Sequence, residues 1–377
     1  MTDTIARLTH LQDTPQTQAT RQQRAKAISA TQACEDLLLA PDLPGGLPLA
    51  QRLAVAQTVS AASGVTALGE HYAAQLQRLP TATPDARWQA MHHFTQLLAT
   101  QPAAADRAAL LALPAAGLTT ADVVLLAQLI GFAAFQARLV AGVAALAALG
   151  PAGSTATPAA PAAEALFIHP ANLPAPGEPL RLNGYTSETL DWKAWLPVVD
   201  ATQASAEQNA VLDASHPKAR VSDFYLLLAH QPRVLAERSE AFNAIMYAPG
   251  GLPRSERELA TAVVSRINGC VYCASVHAQR FEQLAKRNDV IAQVFIDPDQ
   301  AGTNARERAI VQASAVLTRA PGSFGAHHLA ALRDAGLSLH AISPATLREE
   351  GGVPVAGWIV SATKGTTAQT SGRSSHA

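Results

Sequence analysis

Two cysteines separated by two residues, with a histidine four positions further on, are the residues of this sequence best suited to chemistry. They are Cys270, Cys273 and His277, and Glu258 precedes them by twelve positions. A thiol nucleophile, a base beside it and a carboxylate that can orient the base form a complete activation set. A second thiol can trap a sulfenic acid as a disulfide and can exchange electrons with an external dithiol. The pattern therefore indicates dithiol redox chemistry.

Two consecutive helices must position these residues. Apolar residues at helical spacing predict a helix over 254–267, with Ser255 as a candidate N-cap. Asn268 and Gly269 then supply a C-cap that can adopt the left-handed conformation. Cys270 is expected to begin the next helix, where free N–H groups and the positive dipole end stabilise a thiolate. Spacings of three and four residues place both cysteines and the histidine on one face of that helix.

The same four residues could instead bind zinc, because Cys, His and Glu are all acceptable zinc ligands. Structural zinc sites usually draw their ligands from two separate loops, however, and the sequence contains no second cluster of Cys and His. We therefore expect neither a metal nor another cofactor. The third cysteine, Cys34, stands alone and is interpreted as a core residue.

Two stretches of the sequence occur twice, which indicates a tandem duplication of one helical unit. The segment Pro44–Pro48 recurs 205 positions later (249 − 44) as Pro249–Pro253, and Arg52 then aligns with Arg257. A second pair, around Gly117 and Gly336, is 219 positions apart (336 − 117). The first copy is expected to be structural, because it lacks every chemical group. At the offset of 205, Leu53, Val65, Leu68 and Tyr72 replace Glu258, Cys270, Cys273 and His277.

The repeats predict two domains, over 1–149 and 164–377, joined by a linker over 150–163 that is rich in Pro, Ala, Gly, Ser and Thr. In the first domain the apolar stretch 123–149 is predicted to be a buried helix of a soluble domain. No equivalent stretch follows in the second domain. From about residue 339 its tail is rich in Gly, Pro and polar residues, which cannot build such a helix. We interpret this tail as a replaced sequence, with natural divergence as the alternative.

The composition favours an all-α fold. Hydrophobic residues make up 48% of the chain, charged residues 15%, and alternating strand patterns are sparse. The net charge of −1 provides no basic excess for binding nucleic acid. Residues 1–30 do not read as a signal peptide, so we expect a cytoplasmic protein with no membrane partner.

The spacing Glu-x11-Cys-x2-Cys-x3-His resembles the active-site pattern of alkyl hydroperoxidase D-like proteins, in the carboxymuconolactone decarboxylase superfamily. The residues from Arg266 to Cys273, with Glu256 and Arg257 upstream, are similar to its peroxidase-related branch. The similarity is strong from Pro253 to Arg280. It implies an all-helical fold of two tandem alkyl hydroperoxidase D-like domains that forms a homo-oligomer.

The resemblance also implies that the dithiol reduces hydrogen peroxide or organic hydroperoxides and is regenerated by an external dithiol reductant. Cys273 would be the peroxidatic residue and Cys270 the resolving residue, with His277 and Glu258 as the proton relay. Some members have a histidine immediately before the second cysteine, whereas Tyr272 stands there in this chain. Two alternatives remain: a non-enzymatic redox-sensing or disulfide-exchange protein, and a lyase like carboxymuconolactone decarboxylase.

Overall fold

A computed structural model describes residues 3–80, 85–149, 167–247 and 249–338, and these residues are mostly helical. The prediction of an all-α fold is confirmed. One feature was not predicted from the sequence: a small antiparallel hairpin that pairs Arg181–Leu182 (β1) with Tyr185–Thr186 (β2). With two residues in each strand, this hairpin is too short to produce an alternating pattern.

The described helices fall before and after the linker region. Those before it are α1 (Thr4–Leu8), α2 (Pro15–Gln22), α3 (Ala25–Leu38), α4 (Leu49–Ala62), α5 (Thr66–Leu76), α6 (Ala86–Thr100), α7 (Arg107–Ala115) and α8 (Thr120–Leu149). Those after it are α9 (Ala206–Ser215), α10 (Asp223–Leu228), α11 (Pro232–Met246), α12 (Arg254–Ile267), α13 (Val271–Ala285), α14 (Asp289–Ile296), α15 (Ala305–Arg319) and α16 (Ala326–Asp334).

Helix bounds recur between the two halves at the offsets of the sequence repeats. Helices α4 and α12 both have 14 residues and begin 205 positions apart (254 − 49). Helices α6 and α15 both have 15 residues and begin 219 positions apart (305 − 86). The offset increases where the second half has the additional helix α14. The linker and the tail from 339 lie outside the described residues, so the division into two domains stays a prediction.

The aligned arginines Arg52 and Arg257 make equivalent contacts in the two halves. Arg52 Nε donates a hydrogen bond to the Leu47 carbonyl oxygen at 3.0 Å, and Arg257 Nε donates to that of Leu252 at 2.8 Å. Both guanidinium groups also donate to carbonyl oxygens at the end of the preceding helix. A buried guanidinium is tolerated when its donors are satisfied. Arg52 therefore connects α3 to α4, and Arg257 connects α11 to α12 in the same way.

Helix α8 connects the two halves. It packs against α4 and α6 in the first half and against α15 and α16 in the second. By length and composition it could cross a membrane, but 89% of its most apolar stretch is buried inside the protein. The interpretation of 123–149 as a buried core helix is confirmed.

A tight backbone contact also joins the halves, at the turn between α4 and α5. The Gly322 N–H donates a hydrogen bond to the Ser63 carbonyl oxygen at 2.9 Å. A Cβ atom at position 322 would overlap the Gly64 carbonyl group, so only glycine fits there. Helix α3 packs against α11 elsewhere in this interface. The two halves are therefore packed closely against each other at these contacts.

Candidate active site

Helix α12 carries the carboxylate of the site and leads directly into the cysteines. It spans Arg254–Ile267, the range that the sequence predicts, and Gly269 ends it with a positive φ of 79°. The predicted N-cap is wrong: Pro253 occupies that position, and Ser255 lies inside the first turn. Proline at the start of a helix has its φ already fixed and lacks only an N–H that would be unpaired there. The helix therefore has the predicted bounds, but its N-cap lies two residues before the predicted one.

Cys270 and Cys273 lie in the first turn of α13. Cys270 is its N-cap residue, and its Sγ accepts a hydrogen bond from the Cys273 N–H at 2.9 Å. The two cysteines form a disulfide, with their Cα atoms 5.3 Å apart. Cys270 is 1% exposed and Cys273 is 5% exposed. In the reduced form, the helix N-terminus would favour a thiolate at this place.

Glu258 and His277 meet across the two helices. His277 Nδ1 lies 2.7 Å from Glu258 Oε2, and both side chains are buried. His277 follows Cys273 by four residues on α13, a spacing that places both on one helix face about one turn apart. The structure thus assembles a dithiol, an imidazole and a carboxylate from residues that the sequence singled out.

Arg254, a residue not predicted from the sequence, binds the second oxygen of the same carboxylate. Its Nε donates to Glu258 Oε1 at 2.6 Å, and Nη2 contacts that oxygen as well. The guanidinium carbon lies 4.5 Å from the ring centre of Tyr247. The spacing of four residues between Arg254 and Glu258 on a predicted helix was the signal that could have identified this pair.

Glu258 is held as a carboxylate. Burial by itself raises the pKa of this carboxyl, but the hydrogen bond from His277, the charge of His277 and the Arg254 guanidinium together outweigh burial. The net result is a pKa below the ordinary value of 4.5. The site therefore carries a buried anion between two potential cations.

The dithiol lies where two apolar clusters meet. Cys270 and Cys273 belong to a cluster that extends through both halves, whereas Ala274 and Ala278 belong to a second cluster formed around α12 to α15. Tyr272 is half-buried against the first cluster. Burial, with a smaller contribution from Asp191, raises the pKa of Tyr272. Its hydroxyl therefore stays protonated near neutral pH.

The hairpin and the chain that follows it cover the outer side of α12 and α13. The Tyr185 hydroxyl donates to the Arg266 carbonyl oxygen at 3.1 Å, and Ser275 Oγ donates to that of Glu188 at 2.7 Å.

As for the zinc alternative, the described ranges contain no group of three or more His, Cys, Asp and Glu that could hold a metal ion.

The equivalent place in the first half is apolar. Tyr72, which replaces His277 at the offset of 205, is fully buried, and its hydroxyl donates a hydrogen bond to the Gln136 side chain of α8. Burial, reinforced by Glu35, raises the pKa of Tyr72 well above its ordinary value. The other three replacements, Leu53, Val65 and Leu68, are also buried. All four positions are therefore occupied by buried side chains, and none of them carries a thiol.

Comparisons with known proteins address the second half. Residues 232–315 match the model of the carboxymuconolactone decarboxylase family, and this range includes all four predicted site residues. This match confirms the predicted superfamily for the segment that carries the site.

A solved structure from Ralstonia eutropha is also similar to this chain. It is described as an alkylhydroperoxidase AhpD core and as an uncharacterized peroxidase-related protein. The identity is 24%, over 40% of this chain and 83% of that chain, with a TM-score of 0.34. No curated protein matches the sequence.

Proposed function

We propose that this protein is a thiol-dependent peroxidase that reduces hydrogen peroxide or organic hydroperoxides through Cys270 and Cys273. One observation carries the proposal. Two cysteines close enough to form a disulfide lie at a helix N-terminus, and His277 on the same helix face is bound to Glu258 at 2.7 Å. This arrangement can generate a thiolate, protonate a leaving group and resolve a sulfenic acid.

In the first step the Cys273 thiolate attacks one oxygen of the peroxide. A sulfur–oxygen bond forms, the oxygen–oxygen bond breaks, and the leaving oxygen takes a proton from His277 to give water or an alcohol. The peroxide gains two electrons and Cys273 loses two, becoming a sulfenic acid.

In the second step the Cys270 sulfur attacks the sulfenic sulfur. A disulfide forms, the sulfur–oxygen bond breaks, and the hydroxyl group leaves as water with the proton of the Cys270 thiol. The Cα separation of 5.3 Å in the oxidised pair is within the range that a disulfide requires. An external dithiol then reduces the disulfide by exchange and is itself oxidised to a disulfide.

The first half would act as a built-in structural partner, so that the chain is a tandem pair of alkyl hydroperoxidase D-like domains with one active site. The recurring helix bounds and the equivalent contacts of Arg52 and Arg257 support this part of the proposal. We further propose a cytoplasmic homo-oligomer, in which the external dithiol keeps the cysteines reduced between turnovers.

The test is peroxide consumption by the purified chain in the presence of a small dithiol reductant. We expect turnover that Cys273→Ser abolishes and that His277→Gln lowers by roughly a hundredfold or more. Cys34→Ser is the matched control and should keep the wild-type rate. Unchanged turnover in Cys273→Ser, or no turnover in the reduced wild type, would refute the proposal. In the second case, a dithiol that still cycles would favour redox sensing.

A lyase is the second candidate, because residues 232–315 match a family described as carboxymuconolactone decarboxylase. Such a reaction needs a proton donor but no dithiol. A chain with both Cys270→Ser and Cys273→Ser would then still convert a lactone substrate, whereas the peroxidase proposal predicts no activity of any kind in that variant.

A further inference from the structure

We infer that Arg254 is a positioning residue that holds Glu258 as an anion of fixed orientation, so that the proton exchanged at the dithiol is carried by His277 and not by Glu258. The inference rests on the proposed dithiol function, and it states which residue carries the proton that the dithiol exchanges. Arg254 acts through Glu258 and does not touch the sulfur atoms in this account.

The two oxygens of Glu258 have separate partners. Oε1 accepts from Arg254 Nε at 2.6 Å, and Oε2 faces His277 Nδ1 at 2.7 Å. Glu258 is only 1% exposed, so water does not compete for either oxygen. A proton on one oxygen would break a charge-assisted hydrogen bond to Arg254 or the bond to His277. The carboxylate can therefore orient the imidazole but is poorly placed to store a proton.

Arg254 is itself held in place by Tyr247, the residue at the C-terminal end of α11. The guanidinium lies over its ring at 4.5 Å from the ring centre. A planar guanidinium stacked on an aromatic ring loses less freedom when it binds a carboxylate than a flexible ammonium would. The stack on Tyr247 therefore holds Arg254 against Oε1 of Glu258. Oε2 remains available to bind His277.

The duplication provides an internal control for this assignment. Arg257, which ties α11 to α12, is matched by Arg52 in the half without a dithiol, as expected of an architectural residue. Arg254 has no such match, because Leu49 stands at its place and Leu53 stands at the place of Glu258. The first half thus lacks both the dithiol and a counterpart of Arg254. It does have a counterpart of the architectural residue Arg257.

The test measures how fast the reduced, full-length chain is alkylated as a function of pH. Alkylation requires thiolate, so its midpoint reports the pKa of the reactive cysteine without any peroxide. Arg254→Met should raise this midpoint by about one pH unit, because a less ionised Glu258 stabilises the His277 imidazolium less. Arg306→Met is the matched control. This substitution breaks the 2.6 Å ion pair between Arg306 on α15 and Glu256, which lies on α12 like Glu258. It should leave the alkylation midpoint unchanged.

A double variant decides whether Arg254 acts through Glu258. In a Glu258→Gln chain, adding Arg254→Met should produce no further shift. An equal shift in both backgrounds would mean that the guanidinium acts directly on the thiols, and no shift in either would mean that it does nothing. Both results would overturn the inference. If Arg254→Met does not fold, Arg254→Lys should give a smaller upward shift, and an unchanged midpoint would count against the inference.

This readout separates the two claims. If the wild type fails to consume peroxide, the proposed function is wrong, but the alkylation midpoints still report whether Arg254 sets the state of Glu258. If the wild type turns over and the midpoint of Arg254→Met is unchanged, the proposed function stands and the inference about Arg254 falls.

Discussion

Glu258 Oε2 and His277 Nδ1 are 2.7 Å apart, although the two residues lie on different helices and are 19 positions apart in the sequence. Both side chains are buried, so their interaction is screened far less by salt than a surface pair would be. A carboxylate on Nδ1 fixes the tautomer of the imidazole and leaves proton exchange to Nε2. The prediction for Glu258→Gln depends on this contact.

The first prediction concerns Glu258→Gln and its dependence on pH. The pKa of Glu258 is lower in the folded chain than its ordinary value of 4.5, because His277 and Arg254 outweigh the opposing effect of burial. A lowered folded pKa contributes stability that is present above the unfolded pKa and is lost as the pH falls through the folded pKa. Glu258→Gln should therefore cost about 3 kcal/mol at neutral pH, and the difference from wild type should shrink below about pH 4.5.

Urea unfolding of both chains at a series of pH values gives this difference in the free energy of unfolding. Comparing the two chains cancels the titration of the other carboxylates. A difference that stays constant from neutral pH into strong acid would contradict an ionised Glu258.

The second prediction compares two equivalent positions, Tyr72 and His277. Tyr72→Phe removes a buried hydrogen bond to Gln136 and should cost about 2 kcal/mol of stability without changing peroxide turnover. His277→Phe should abolish most turnover. Unfolding curves and peroxide assays on the two variants check both statements. A large loss of turnover in Tyr72→Phe with an intact fold would show that the first half takes part in the chemistry.

The sequence predicts the local structure of the site well and its tertiary contacts poorly. The bounds of α12 and the glycine turn before Cys270 follow from apolar spacing, Gly269 and the following cysteine, all of which are local signals. The N-cap predicted at Ser255 is wrong because Pro253, whose φ is already fixed, takes the N-cap position in front of Arg254.

Other features could not be predicted because they depend on contacts between distant segments. The Gly322 contact with the α4–α5 turn joins residues more than 250 positions apart and leaves no periodic signal. The packing of α8 on α15 and α16 is equally non-local. Arg254 is the exception, since its spacing to Glu258 is local and was available in the sequence.

The third prediction concerns the contact between the halves. Gly322→Ala introduces a Cβ that overlaps the Gly64 carbonyl group, so the backbone must shift. We expect a loss of about 2 kcal/mol in the free energy of unfolding. The matched control is Gly184→Ser in the exposed hairpin turn. Gly184 has a positive φ, which Gly322 does not, and no atom lies within 4 Å of a Cβ added at position 184. Its smaller loss reports backbone strain alone, and equal losses would contradict a tight interface at Gly322.

The fourth prediction concerns the remaining thiol. Burial, with a smaller contribution from Glu237, raises the pKa of Cys34 to about 12, so it carries almost no thiolate at neutral pH. Cys34 should therefore not be among the rapidly reacting thiols of the reduced native chain, whereas the denatured chain exposes all three thiols. Thiol titration with and without denaturant measures both counts. Three rapidly reacting thiols in the native chain would contradict the buried placement of Cys34.

The most direct test of the central claim is a single turnover without any reductant. Reduced protein is mixed with one equivalent of peroxide and then analysed by mass spectrometry of its peptides. The account predicts that the peroxide is consumed and that Cys270 and Cys273 become joined by a disulfide, while Cys270→Ser accumulates a sulfenic acid on Cys273. Unconsumed peroxide with both thiols still reduced, or oxidation confined to Cys34, would contradict the account.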